Sequence, residues 1–167
     1  MPLHGWLPGA MVAPAPVSAM LHAVAVVKAG VFVILKVSAY IFGPNLISAL
    51  PAATWLLWIA AGTIVIASVV AMTKDDLKAR LAWSTVGQLA YITSAAMLPA
   101  AAGLVAGGLH MLVHAFAKIT LFMCAGAIYV ATGASKVSEM RGLGRSMPIV
   151  FSCFLVGALC VIGLPPF

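Results

Sequence analysis

The sequence predicts an all-α protein: a polytopic bundle of about five transmembrane helices with a broken-helix segment near the N-terminus. Three observations lead there. Of the 167 residues, 64% are hydrophobic and only 7% charged, against about 25% charged in soluble domains, and the mean hydropathy is +1.17. Long uncharged runs match the roughly 20 residues that cross a hydrocarbon layer about 30 Å thick. Breakers and the few charges divide the chain into such runs. A soluble core of this size cannot hide so much apolar surface, and disordered, fibrous and nucleic-acid-binding classes fall with the soluble one. The net charge of +6, from nine Lys and Arg against three acids, reports orientation in a bilayer rather than a polyanionic partner.

The first predicted span covers residues 17–42 and ends at Gly43-Pro44-Asn45. Ahead of it, Pro8, Gly9, Pro14 and Pro16 predict non-helical backbone between Leu7 and Pro14. Such an unwound stretch is tolerated in a membrane only when buried in protein or lining a cavity. The second span, 52–72, holds no charge and follows Pro51, whose missing N–H is harmless at a helix start. The third runs from Thr73, which with Asp76 resembles a capping box, to about Met97. The fourth covers 101–132, too long for one untilted crossing. The fifth covers 148–162, after a Ser146 cap.

Connector charges give an independent check. The links 43–50 and 98–100 carry none, whereas Lys74, Lys78, Arg80, Lys136, Arg141 and Arg145 fall in or beside the other two. Neutral and basic links alternate, so the basic ones are expected to face the cytoplasm of a multi-pass inner-membrane protein. No basic stretch precedes an apolar one at the N-terminus, and insertion is expected to use the internal helices. Both ends are abrupt, and residues 1–167 read as a fragment of one transmembrane transporter domain. Cys124, Cys153 and Cys160 sit in apolar runs without a zinc pattern and read as buried small hydrophobes. No Walker loop, G-x-G-x-x-G or C-x-x-C-H occurs, and neither a cofactor nor a metal is expected.

Chemistry concentrates in the fourth span. His110, His114 and Lys118 follow at i, i+4 and i+8, which puts them on one helical face about 6 Å apart per step. A lysine in mid-membrane is costly and as a rule serves an ion or proton pathway. The three groups form a proton ladder; the alternative is neutral core histidines with Lys118 paired to an acid elsewhere. In the first span His22 and Lys28 point about 120° apart on a continuous helix. Lys28 is the candidate there, and Lys36 reads as a snorkelling anchor. Ser84, Gln88 and Tyr91 make a polar stripe on the third span that packing and hydration explain equally. Gly103 and Gly107 form a G-x-x-x-G for close helix approach.

Several ordered motifs carry a resemblance. His4-Gly5-Trp6-Leu7-Pro8, Ala13-Pro14-Ala15-Pro16-Val17-Ser18-Ala19-Met20-Leu21-His22-Ala23 and Lys28-Ala29-Gly30 resemble the central motif of the antiporter-like membrane subunits shared by respiratory complex I, the NADH:quinone oxidoreductase, and the Mrp multisubunit cation/proton antiporters. Asp76-Leu77-Lys78 with Ala82-Trp83-Ser84-Thr85-Val86-Gly87-Gln88-Leu89 continues the match. So do His114-Ala115-Phe116-Ala117-Lys118, Met140-Arg141-Gly142-Leu143-Gly144 and Gly163-Leu164-Pro165-Pro166-Phe167. The details from Cys124 through the Arg141 loop look closest to the D-type branch of the Mrp subunits.

The resemblance implies a proton-conducting half channel built on a broken helix with a central hydrophilic axis. Lys28 matches the family's lysine after the break, and His22, His110, His114 and Lys118 match proton-path positions. Gly9 departs from the Asp often found after Trp-Leu-Pro. The family's upstream Glu and Lys pair and its later titratable helix lie outside these 167 residues. The implied function is proton translocation inside a multisubunit Na+(cation)/H+ antiporter, with a proton-pumping subunit of a complex I-like oxidoreductase or a membrane-bound hydrogenase as the alternative. Partners are then other membrane subunits, the lipid bilayer, protons and, for the antiporter, Na+. Rivals from other classes are a membrane cytochrome, with His22 and His110 or His114 as haem ligands, and an inert structural subunit.

Overall fold

The computed structural model describes residues 5–163, so His4 of the first motif and Leu164, Pro165, Pro166 and Phe167 of the last lie outside the described residues. The chain begins with α1 (Trp6–Gly9) and a 3-10 turn, Ala10–Val12. Ala13 and Pro14 then extend, with ψ of 153° and 152°. The predicted break is therefore real but shorter than expected, because Pro8 sits in the first turn of α1, where its missing donor costs nothing.

From α2 (Ala15–Ala19) the chain continues through a π segment, Met20–Val24, into α3 (Val26–Lys36), a second π segment, Val37–Phe42, and α4 (Gly43–Ala49). These make one apolar rod of 35 residues, Ala15–Ala49. The expected end at Gly43-Pro44 is a break in the backbone, Gly43 having ψ 158°, after which a further short helix, α4, follows. Gly43 takes φ 71°, a value that suits glycine, and Pro44 falls in the first turn of α4.

Next come α5 (Pro51–Thr73), α6 (Leu77–Ala96) and α7 (Ala101–Thr132), followed by a 3-10 turn, Val137–Glu139, α8 (Leu143–Ser146) and α9 (Pro148–Ile162). Two predicted caps move. The Thr73 hydroxyl turns back to the Val70 carbonyl at 2.8 Å and closes α5. Asp76 caps α6 instead, its carboxylate accepting the Ala79 N–H at 2.8 Å, since Lys74 and Asp76 are extended and leave only Asp76 beside the free donors. Ser146 lies inside α8 with its hydroxyl on the Leu143 carbonyl, and α9 starts on Pro148 without a side-chain cap.

Ala15–Ala49, Pro51–Thr73 and Ala101–Thr132 are each long and apolar enough to cross a membrane. α6 has 20 residues and lies antiparallel between α5 and α7, while α9, with 15 residues, packs on α7. Together these are the five rods of a polytopic bundle. α5 buries only small side chains, among them Ala60, Thr63 and Ala67, and Ala67 shares a cluster with Val86 of α6. Its large residues, such as Trp55 and Trp58, face outward.

The central rod is α7, at about 48 Å the longest straight helix here. A methyl added at Gly126 would lie 2.6 Å from the Ala15 Cβ, and one at Gly157 of α9 would lie 3.3 Å from the Ala117 carbonyl. At Gly103 it would lie 2.7 Å from the Ala95 carbonyl, so the G-x-x-x-G does serve close approach. At the basic end, links 74–76 and 133–139 bond to each other. Leu77 N–H donates to the Ser135 carbonyl at 3.0 Å and Val137 N–H to the Asp75 carbonyl at 2.8 Å. The two basic links thus share one end of the bundle, as alternating sidedness requires.

Candidate functional site

The α7 ladder is buried where α2, α3, α6 and α9 converge on it. Lys118 is 0% exposed and His114 1%, while His110 is half-buried. The ladder rings stack, with the His110 and His114 centroids 6.2 Å apart and 15° between planes. Lys118 Nζ donates to the Leu81 carbonyl at 3.1 Å and to the Ser84 hydroxyl oxygen. Burying an ammonium requires compensating hydrogen bonds, and α6 supplies them from its polar face.

The first rod adds the other two groups. Lys28 reaches from α3 with its Nζ 2.5 Å from His114 Nδ1 and donates to the Met111 carbonyl at 3.2 Å. His22, 0% exposed in the first π segment, packs its ring 5.4 Å from that of Phe122, one turn beyond Lys118. His22 and Lys28 do not align on their own helix, as the 120° separation predicted. Instead each meets α7 at a different level, on either side of Lys118, so the five groups predicted from sequence come together in one place. Lys28 and His114, in hydrogen-bond contact, cannot both be cations.

Among the described residues no Asp or Glu lies beside Lys118. Asp75 and Asp76 precede α6, and Glu139 lies in the link after α7, all at the basic end. The polar partners of Lys118 among the described residues are a carbonyl and a hydroxyl. Both ring nitrogens of His22, Nε2 of His110 and of His114, and Oε1 of Gln88 are buried without a partner among the described residues. Buried polar atoms are as a rule hydrogen-bonded, to water where protein is lacking.

The stripe on α6 forms the opposite wall. Ser84 binds Lys118, and Tyr91 stands edge-on to His110 with ring centroids 6.1 Å apart. Gln88 lies between, donating to the Val161 carbonyl of α9 at 3.4 Å. The spacing i, i+4, i+7 shows that these three share a face; that the face meets the ladder is a tertiary fact. Beside them a cleft of about 840 Å³ between α6, α7 and α9 is lined by Gln88, Tyr91 and His110. Lys36 is exposed with its Nζ 5.4 Å above the Phe32 ring.

Of the three cysteines only Cys124 is buried. Cys153 is exposed and Cys160 half-buried, which corrects the expectation for all three, since an apolar run in a membrane helix turns part of itself toward lipid. Among the described residues no group of three or more His, Cys or acidic side chains gathers to hold a metal ion. Lys118 stands between His22 and His114 along α7, an arrangement unsuited to a pair of axial haem ligands.

The whole chain, residues 1–167, matches the family described as NADH:quinone oxidoreductase/Mrp antiporter, TM. It is 37% identical to NAD(P)H-quinone oxidoreductase chain 5 of Picosynechococcus sp., an alignment that covers 99% of this chain and 25% of that protein. It is 36% identical to the A-type subunit of the Na(+)/H(+) antiporter of Alkalihalophilus pseudofirmus, covering 99% and 22%. A chain of the membrane-bound sulfane sulfur reductase, an archaeal respiratory membrane complex, superposes with a TM-score of 0.85 at 29% identity, covering 99% of this chain and 34% of that one. The chain therefore spans about a quarter of the length of the curated relatives it matches. Family motif, helix order and fold agree from one end to the other: the chain belongs to the NADH:quinone oxidoreductase/Mrp antiporter transmembrane family.

Proposed function

We propose that this chain moves protons along Lys28, His22, His110, His114 and Lys118 within an antiporter-like component of a multisubunit membrane complex. The observation that carries the reading is Lys118: fully buried, without an Asp or Glu beside it among the described residues, and placed between His114 and His22 along α7. A permanently charged lysine there would be expensive to keep. One that alternates between charged and neutral forms acts as a carrier. Because the groups repel as cations, a proton arriving at Lys28 favours release from its neighbours, and water on the unpartnered histidine nitrogens links the steps.

A membrane potential of 100 mV supplies about 2.3 kcal/mol per charge moved, so sustained transport in one direction needs a partner process. Exchange against a cation such as Na+ is the first reading; it rests on the likeness to the A-type antiporter subunit. Coupling to redox chemistry in partner subunits is the second, favoured by the likeness to oxidoreductase chain 5 and to the sulfur reductase. Between the Mrp branches, the likeness to oxidoreductase chain 5 and to the A-type antiporter subunit supports an A-type assignment more strongly than a D-type one. The test uses the complete complex in vesicles. Lys118→Ala and Lys28→Ala should each abolish or strongly reduce proton movement per assembled complex. Wild-type movement in both refutes the reading.

A further inference from the structure

We propose that Ser84 is the positioning residue that lets Lys118 hold and release its proton, an inference that rests on the proposed carrier role of Lys118. The geometry is specific. The Leu81 carbonyl that binds Lys118 also accepts the Ser84 hydroxyl at 2.9 Å and the Thr85 hydroxyl at 2.8 Å. Lys118 donates in addition to the Ser84 oxygen. Ser84 thus closes a triangle of Lys118, its own hydroxyl and the Leu81 carbonyl.

The two corners differ in what they can do. A carbonyl only accepts, whereas a hydroxyl accepts and donates. When Lys118 is an ammonium it has three N–H donors and no acceptor; it gives one hydrogen to Ser84 and one to Leu81, and Ser84 passes its own hydrogen to Leu81. Once the proton leaves, the amine nitrogen gains a lone pair. Turning the Ser84 hydroxyl from the Leu81 carbonyl to that lone pair satisfies it, while the amine keeps its bond to Leu81. Thr85 donates to the same carbonyl, but it is the Ser84 hydroxyl that Lys118 meets. Both protonation states are accommodated by one rotor, without moving a helix.

No Asp or Glu among the described residues competes for the role. The charged and titratable groups that face Lys118 are Lys28 from α3, His114 from α7 itself and His22 from the first π segment. All three are bases. From α6 come Ser84 and the Leu81 carbonyl, and α9 approaches Ala117 and Leu121 with Gly157. Alanine at position 84 takes a charge-assisted bond from the ammonium and only a weaker, neutral one from the amine, so the charged form loses more.

Proton flux in vesicles holding the complete complex, measured against pH and normalised to assembled complex, tests this with S84A, S84T and K118A. S84A should lower flux roughly tenfold, the order of one hydrogen bond to a charged group, and move the pH profile toward acid by about one unit. S84T, which keeps the hydroxyl, should restore both. S84C replaces S84A if the latter does not assemble, with the same expectation. A normal pH profile in S84A while K118A abolishes flux overturns the role of Ser84 and leaves the carrier reading standing. Reduced flux without a shifted profile and without rescue by S84T also overturns it, since that is mere packing. Undiminished flux in K118A overturns the carrier reading itself.

Discussion

Lys28 and His114 are predicted to carry no more than one positive charge between them. Their nitrogens are 2.5 Å apart. At that separation, with an effective dielectric constant of about 20, two unit charges repel by about 7 kcal/mol, which suppresses the doubly charged pair by a factor of roughly 10⁵. The contact also needs one nitrogen with a hydrogen and one with a lone pair, a condition that two cations cannot meet. A proton that reaches His114 must therefore displace the Lys28 proton or wait for it to go, which turns a static pair into a step of a relay. The perturbation is Lys28→Met, which keeps much of the side-chain length and removes the charge. Solid-state nitrogen NMR of the complex in bilayers, with lysine and histidine labelled, reports both protonation states in one sample. In the unmodified protein, ammonium signal from Lys28 should coincide with a neutral His114 ring, and imidazolium at His114 should become accessible at higher pH once Lys28 is methionine. Ammonium and imidazolium from the same pair in one population would refute the reasoning.

Three further outcomes follow from named contacts. Gly126→Val should lower the thermal stability of the complex by about 1–3 kcal/mol, the usual cost of overpacking, because its Cβ would lie 2.6 Å from that of Ala15; an unchanged unfolding temperature contradicts the α2 to α7 contact. Ser138 donates its hydroxyl at 2.7 Å and its N–H at 3.2 Å to Asp75, and this holds the Asp75 carboxyl below its ordinary value of 3.8, with Lys136 and Arg80 adding to the effect. Folding lowers that value, so the latch contributes fully above 3.8 and its contribution is lost as pH falls through the folded value; Asp75→Asn should flatten this acid-side loss in unfolding measured at stepped pH, and an unaltered acid limb would contradict it. Cysteines placed at Lys74 and Lys136 should label from the cytoplasmic side and one at Asn45 from the other; labelling of all three from one side contradicts the sidedness.

Helices were legible in this sequence wherever apolarity alone decides, as in Ala101–Thr132, whose predicted and observed limits coincide. They were less so wherever two local signals compete. Thr73 and Asp76 both look like caps, and the extended backbone of the link hands the role to Asp76. Gly43-Pro44 reads as an end, and a glycine at φ 71° and ψ 158° does interrupt the helix there, but a first-turn proline starts α4, which carries the rod on to Ala49. The histidine ladder was legible because its four-residue spacing is a property of one helix. That His22 and Lys28 reach the same ladder was not, since it depends on how two helices pack around Ala15 and Gly126. Ser84 was visible as one of three polar residues on a face, but its bond to Lys118 appears only when α6 and α7 are set antiparallel at the observed register.

Proton flux through the complete complex carrying Lys118→Arg is the measurement that bears most directly on the claim that Lys118 is a carrier and not an anchor. Arginine preserves the positive charge and hydrogen-bond donors but does not release its proton in proteins. If Lys118 passes protons, flux per assembled complex should fall to nearly the level of Lys118→Ala. Flux at the unmodified rate in a well-assembled Lys118→Arg complex would show that a fixed charge suffices, and would contradict the account.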